Sequence, residues 1–198
     1  MFRKISNRNR YLILGVAVAM ILVYFTPLWY IKLTAPQYRD GLSMSIWVFK
    51  ITGGTEFDLQ NINILNHYVG MKEIHADSFK EFKIMPYILA FMIFGAFVTF
   101  VFPRRIMVYL GLTSLLIAAV TGLYDFYYWE YDYGHNLSPD AALKIPGLNY
   151  QPPLIACKNL MNFKACSWPH VGSFILLAAG GILLYIIYDE FKRQKQAA

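Results

Sequence analysis

The sequence predicts an all-α membrane protein: a bundle of four transmembrane helices with a small extracytoplasmic α+β domain formed by its first and third loops. The chain of 198 residues is 57% hydrophobic and only 15% charged, whereas soluble domains carry about 25% charge. Four long stretches contain no ionisable residue, and basic residues gather on one predicted side of them. Together these observations favour a multi-pass membrane protein.

Each uncharged stretch is long enough to cross a bilayer. The stretches contain 18 to 21 residues, which corresponds to roughly 27–32 Å of helix. The predicted spans are 11–31, 84–102, 106–124 and 171–188. The first span is longer than the apolar core of a secretory signal peptide and lacks a small-residue cleavage motif, so it predicts an uncleaved anchor.

Basic residues set the predicted orientation. Nine of the eighteen Lys and Arg residues lie in the tails 1–10 and 189–198 and in the short turn 103–105. The positive-inside rule therefore places both termini in the cytoplasm, as expected for a protein of a bacterial cytoplasmic membrane. The net charge of +6 reflects this topology and gives no indication of nucleic-acid binding.

The first outer segment, 32–83, predicts one strand and one short helix. Residues 42–51 are rich in β-formers and precede Gly53 and Gly54, which predicts a strand and a turn. Asp58 is a good N-cap for a helix over 58–69, and Gly70 is a good stop.

The second outer segment, 125–170, begins with an aromatic run that predicts continuation of the third-span helix over 125–135. Ser138 and Pro139 then favour the start of a short helix that ends at Pro146 and Gly147.

Candidate site residues lie in these outer segments. If 125–135 is helical, one stripe carries Asp125, Tyr128, Asp132 and His135, with Glu130 pointing away from it. No ionisable residue lies within the spans, which argues against a transporter, pump or channel. No CxxC or HExxH motif is present, and the sequence does not predict an enzyme.

A copper site is one interpretation of these residues. His67 lies on the polar face of the helix 58–69, and Met71 follows Gly70. Imidazole suits both copper oxidation states, thioether suits Cu(I) and carboxylate suits Cu(II). The alternative is a structural network, in which the aspartates bond tyrosine hydroxyls and backbone amides and His67 is an ordinary polar-face residue.

The two cysteines, Cys157 and Cys166, both lie in the second outer segment. Oxidising conditions outside the cytoplasm favour a disulfide between them, which would close a ten-residue loop and contribute about 2–3 kcal/mol. Free or metal-binding thiols and a catalytic redox pair are the alternatives.

Three segments, 66–71, 129–136 and 150–153, together with residues 27–30, resemble a family of four-span membrane proteins from Bacteroidetes-type bacteria. Members of that family accompany the periplasmic nitrous-oxide reductase and its copper-delivery machinery. The resemblance implies copper as a cofactor and His67, Met71, Asp132 and His135 as metal contacts. It implies no role for the two cysteines.

We therefore expect a membrane accessory protein for maturation of a periplasmic copper enzyme, which binds copper or docks a maturation partner through its outer domain. His67 and His135 would be the principal ligands, Met71 and Asp132 would complete the site, and Asp125 would orient an imidazole. Tyr128, like Asp125, would contact the ligands without binding the metal itself. A claudin-like structural scaffold is the second hypothesis, and a thiol oxidoreductase is the third.

Overall fold

The computed structural model describes residues 4–143, 147, 149–160 and 162–196. The helices in this part of the chain are α1 (Asn7–Leu22), α2 (Asp58–Val69), α3 (Glu81–Val101), α4 (Arg105–His135) and α5 (Val171–Gln196). The strands are β1 (Trp29–Ala35), β2 (Tyr38–Ile46), β3 (Ile51–Gly53), β4 (Ala156–Leu160) and β5 (Phe163–Pro169).

Four of the described helices, α1 with the turn that follows it, α3, α4 and α5, are long and apolar enough to cross a membrane. They pack in a ring, since α1 contacts α3 and α5 while α4 contacts the same two helices. Ile13, Val16 and Ile186 fill the centre of this bundle. Large apolar side chains such as Phe91 and Leu177 are more than half exposed on its outside. An apolar surface of this extent suits hydrocarbon better than water.

The described strands form one antiparallel sheet in the order β3-β2-β1-β5-β4. Strands β1 to β3 precede α3, whereas β4 and β5 follow α4. The predicted outer segments therefore meet in one folded unit at one end of the bundle. We call this unit, made of the sheet, α2 and residues 125–135 of α4, the sheet domain. Its core contains Trp29, Met44, Ile62 and Tyr133.

The first helix is shorter than the predicted span 11–31. Helix α1 ends at Leu22, a single 3₁₀ turn covers Val23–Phe25, and Trp29 already begins β1. Proline cannot donate a backbone hydrogen bond and interrupts a helix, so Pro27 marks the change. The apolar run continues past Pro27 because β1 lies in the centre of the sheet and is partly buried.

The predicted strand 42–51 is instead part of a hairpin. Strand β2 ends at Ile46, a turn follows in which the Trp47 N–H donates to the Lys50 carbonyl at 2.8 Å, and β3 begins at Ile51. Strand β2 also begins earlier than predicted, at Tyr38, because it pairs with β1 along most of its length. Cross-strand partners of this kind are not visible in a local sequence pattern.

Helix α2 has the predicted bounds, and Gly70 ends it with φ 82°. Asp58 does not cap it, because its carboxylate accepts hydrogen bonds from the backbone N–H of Ser43 at 2.9 Å and from the Ser43 and Thr55 hydroxyls. Burial alone would raise the pKa of Asp58, but these hydrogen bonds outweigh it and hold the pKa below its ordinary value. Asp58 thus ties α2 to β2.

The predicted continuation of the third-span helix over 125–135 is confirmed, since α4 is unbroken from Arg105 to His135. The predicted short helix after Ser138 does not form over residues 138–143, which follow turns and bends. Pro146, its predicted end, lies outside the described residues. The Ser138 and Leu143 amides instead donate to carbonyls at the end of α2, and these longer-range bonds replace the local helical ones.

A joint of hydrogen bonds holds the sheet on the bundle. The His170 N–H donates to the Leu28 carbonyl at 2.8 Å, and the Gly172 N–H donates to the Pro27 carbonyl at 2.9 Å. The Ser173 hydroxyl also donates to Leu28, at 2.7 Å. These bonds satisfy donors at the start of α5 that the helix itself leaves without partners.

A polar network closes the opposite end of the bundle. The buried Glu190 carboxylate accepts from the Ser6 backbone at 2.8 Å, the Asn9 amide at 2.7 Å and the Arg105 guanidinium at 3.0 Å. It therefore connects the start of α1, the start of α4 and the last turns of α5. Most of the charge of this buried acid is compensated by these partners.

Replacement of Gly172 by Ala tests the joint. The new Cβ would lie 2.9 Å from the Pro27 carbonyl oxygen, so we expect a loss of about 1–3 kcal/mol and a lower Tm. Gly181→Ala is the matched control on the same helix, because a Cβ added there would meet nothing within 4 Å. Thermal unfolding in detergent micelles measures both variants, and equal Tm values would contradict the tight joint.

Candidate functional site

The ends of α2 and α4, which carry the predicted metal ligands, lie side by side. The Ser138 N–H donates to the Gly70 carbonyl at 2.8 Å. The Lys72 ammonium contacts the Asp132 carboxylate at 2.6 Å. The Tyr133 hydroxyl donates to the Glu73 carbonyl at 3.1 Å. The two predicted outer segments are therefore in contact where the sequence places its candidate ligands.

Asp132 already has partners at this junction. Its carboxylate accepts a hydrogen bond from Lys72 and another from the Asn136 side-chain amide. The hydrogen bond from Lys72, then that from Asn136, hold the pKa of Asp132 below its ordinary value. The Lys72 ammonium is about half exposed, so a competing cation could reach the carboxylate from the solvent side.

The two predicted histidine ligands differ in their surroundings. The His135 ring stacks on Tyr131 with centroids 4.0 Å apart, and its Nδ1 lies 3.0 Å from the Tyr131 carbonyl oxygen. His67 is exposed on α2. A His ring held by a backbone carbonyl at one nitrogen leaves the other nitrogen for a ligand.

Asp125 and Tyr128 are both exposed on α4. Asp125 lies ten residues before His135, about 15 Å along a helix at 1.5 Å per residue. Its carboxylate is therefore too far away to orient the His135 imidazole. The Tyr131 carbonyl oxygen contacts that ring instead. Within the described ranges, no group of three or more His, Cys, Asp or Glu side chains could hold a metal ion. The predicted ligands lie on neighbouring elements, and binding a metal would require their side chains to move.

A second feature of the sheet domain is a cavity of about 90 Å³ between the sheet, α2 and the end of α4. Its walls are almost entirely apolar and aromatic. They include Ile31 and Phe163 from the sheet, Ile62 from α2, and Trp129 and Tyr133 from α4. Small-molecule sites in proteins are commonly apolar concavities with a few polar groups.

The three segments that carry the family resemblance converge on this cavity. Segment 66–71 contributes Met71, segment 129–136 contributes Glu130, and segment 150–153 contributes Pro152. The last two segments touch closely at Gly134, whose carbonyl accepts from the Tyr150 N–H at 3.0 Å. A Cβ at Gly134 would collide with the backbone of Gln151, so only glycine allows this approach.

Glu130 is the acidic residue among the described residues that line the cavity. Its side chain is 0% exposed, and neither carboxylate oxygen has a hydrogen-bond partner among the described residues. Buried polar groups without partners are rare in proteins and call for an explanation.

Glu130 lies beyond the part of α4 that is needed to cross a bilayer. About 20 residues of helix suffice, which residues 105–124 supply, and 125–135 pack against the sheet instead. Burial raises the pKa of the Glu130 carboxyl to about 8, because the ionised form loses its hydration. The carboxyl is therefore neutral at pH 7 in the absence of a positively charged partner.

The importance of Glu130 was missed from the sequence, although its orientation away from the stripe of Asp125 and Asp132 is consistent with the pattern. Phe126, Trp129 and Tyr133 recur at helical spacing and mark the buried face of α4. Glu130 lies on that same face, four residues after Phe126. An acidic residue on an otherwise aromatic helix face was the sequence pattern that could have indicated a functional role for Glu130.

The cysteine pair forms the predicted disulfide. Cys157 and Cys166 are direct partners in the β4–β5 hairpin, and their sulfur atoms are bonded. Cys157 is exposed. The bond joins the two strands farthest from α2 in the sheet order.

In comparisons with known proteins, the sequence matched no protein family model and no curated protein. The function must therefore be argued from the residues and their geometry.

Glu130→Gln tests the buried carboxyl. Unfolded Glu130 ionises near 4.5 and the folded form near 8, so folding retains a proton and wild-type stability falls as pH rises between these values. The phenols of Tyr133 and Tyr150, which line the same cavity, titrate at higher pH, and the Lys72–Asp132 pair keeps its charges across the window. The Gln variant lacks this loss, and we expect its Tm to exceed that of wild type by about 3 °C or more at pH 8, since ~1 kcal/mol shifts Tm by 2–4 °C at this size.

At pH 3.5 the two proteins should have nearly equal Tm values, since Glu130 is then protonated in both the folded and the unfolded state. Thermal unfolding in detergent micelles at several pH values measures the difference. A constant difference across the pH range would contradict a neutral buried Glu130.

Proposed function

We propose that this chain is a multi-pass protein of the bacterial cytoplasmic membrane that assists maturation of a periplasmic copper enzyme. Both termini lie in the cytoplasm and the sheet domain lies outside. The exposed apolar surface of the four long helices supports membrane insertion. Basic residues at the bundle end opposite the sheet, including Arg8, Arg105 and Arg193, support this orientation.

The contact between the ends of α2 and α4 carries the copper proposal. It brings two elements with imidazole, thioether and carboxylate donors together at the surface of the sheet domain, and these donor types suit copper in its two oxidation states. His67 and His135 are the principal ligands, and Met71 and Asp132 complete the site. The Lys72 ammonium must leave Asp132 when copper binds.

The class of partner comes from the resemblance of the three segments to proteins that accompany nitrous-oxide reductase. We assign the function to the sheet domain, because the membrane-crossing stretches of the helices contain no ionisable residue. Copper bound at the surface is accessible to a periplasmic partner, as delivery requires.

A structural scaffold is the second candidate, and the ion pair between Lys72 and Asp132 favours it. In this alternative the pair and the stacked His135 only hold α4 against the end of α2. A thiol oxidoreductase has less support, because the sequence contains no cysteines besides the bonded pair.

The orientation predicts the labelling of two variants that each carry one added cysteine, Glu56→Cys and Lys195→Cys. Both positions are exposed, the first beside the sheet and the second near the end of α5. In spheroplasts, a membrane-impermeant maleimide should label Cys at position 56, whereas position 195 should react only after permeabilisation. The native disulfide leaves no competing thiol. Labelling of position 195 in intact spheroplasts would overturn the orientation.

The copper site predicts that the double variant His67→Ala/His135→Ala loses copper. The purified protein is loaded with Cu(I) or Cu(II), and bound copper per chain is measured after removal of excess metal. His75→Ala is the matched control, because this exposed histidine contacts Glu73 rather than the predicted ligands. We expect about one copper in wild type and control and at least tenfold weaker binding in the double variant. Unchanged stoichiometry in the double variant would rule out the site and leave the scaffold as the better hypothesis.

A further inference from the structure

The copper proposal makes no use of Glu130, although its ligand Met71 also lines the cavity of the sheet domain. Glu130 lines the same cavity, and its carboxyl is fully buried and has no hydrogen-bond partner among the described residues. Leaving such a group without a partner costs free energy on the order of 1–3 kcal/mol. A carboxyl retained in this position is most simply explained by a ligand that pairs with it.

No described cation is available to Glu130. Lys72, which lies on the segment after α2, is engaged with Asp132 on the opposite side of α4. The other residues lining the cavity are aliphatic, aromatic or uncharged polar. A positive charge for the Glu130 carboxylate must therefore come from outside the described part of the chain.

The other residues that line the cavity indicate what kind of cation fits there. Trp129, Tyr133, Tyr150 and Phe163 surround the cavity with aromatic rings. Ring faces attract organic cations, especially when both are removed from water. Aliphatic side chains such as Ile62 and Leu160 complete the lining and suit an alkyl group. A carboxylate among aromatic rings is a common way to bind an ammonium group.

We propose that this cavity binds a small organic ammonium ion, with the nitrogen against the Glu130 carboxylate and the alkyl body among the aromatic and aliphatic walls. The cavity volume of about 90 Å³ is several times the ~10–15 Å³ that one water molecule requires, so a small organic ion fits. A bound ammonium would favour the ionised carboxylate, since an opposite charge nearby stabilises it.

Other occupants fit less well. A hard metal ion prefers several oxygen ligands, and Glu130 is the single carboxylate lining the cavity in the described residues. A neutral apolar molecule would leave the carboxyl without a partner. Water could bond the carboxyl, but it would also have to fill the apolar remainder of the cavity.

The test uses the full-length protein in detergent micelles and a series of amines: methylammonium, n-propylammonium, n-butylammonium and tetramethylammonium. Saturation-transfer NMR on the alkyl protons and the shift in Tm measure binding at pH 8. n-Butanol is the matched neutral probe for n-butylammonium. We expect saturable binding of at least one amine, with n-butanol at least tenfold weaker than n-butylammonium if the latter is the binder.

Glu130→Gln separates the proposed site from micelle effects. This variant keeps the size of the side chain and removes its negative charge, and it should fold well because it removes a buried carboxyl. We expect at least tenfold weaker amine binding in it, whereas the copper stoichiometry should stay at the wild-type value. Equal amine binding in the Gln variant, equal binding of n-butanol, or no saturable binding across the series would each overturn the proposal.

Discussion

The structure depends on the joint where the two central strands meet the helices. Strand β1 follows α1 after a short connection, β5 leads directly into α5, and hydrogen bonds from His170 and Gly172 to the 27–28 backbone lock these connections together. Because β1 and β5 also pair with each other, the sheet is anchored through two helices at once. Its position over the bundle is therefore set by backbone hydrogen bonds.

The position of the sheet determines what happens to the end of α4. Beyond residue 124 the helix extends past the bundle and packs its aromatic face, with Phe126 and Trp129, against the sheet. This packing buries Glu130 on the same face and forms one wall of the cavity between α4, α2 and the sheet. A buried acid without a partner reduces stability, and features that reduce stability tend to lie at functional sites.

The two proposed activities use opposite sides of α4. Residues two apart on a helix point about 200° apart, so Asp132 faces the surface while Glu130 faces the cavity. At the surface, Lys72 and Asp132 neutralise each other, and a metal must compete with that ion pair. Inside, no described charge opposes Glu130. The two hypotheses therefore depend on different acidic residues, although Met71 is common to the copper ligands and the cavity wall.

The sequence alone predicted the four long apolar helices, the bounds of α2 and the extension of α4, because charge exclusion and the helix stop at Gly70 act locally. The start of α2 was predicted correctly although Asp58 does not cap the helix. It also predicted the cysteine pair. Strand β1 was not predicted, because its first residues continue the apolar run of the first span. One of its two partner strands, β5, also lies about 140 residues away, since Trp29 pairs with Pro169. Only the tertiary structure decided that Glu130 is buried and that Lys72 engages Asp132, because burial and pairing depend on elements that the chain brings together after folding.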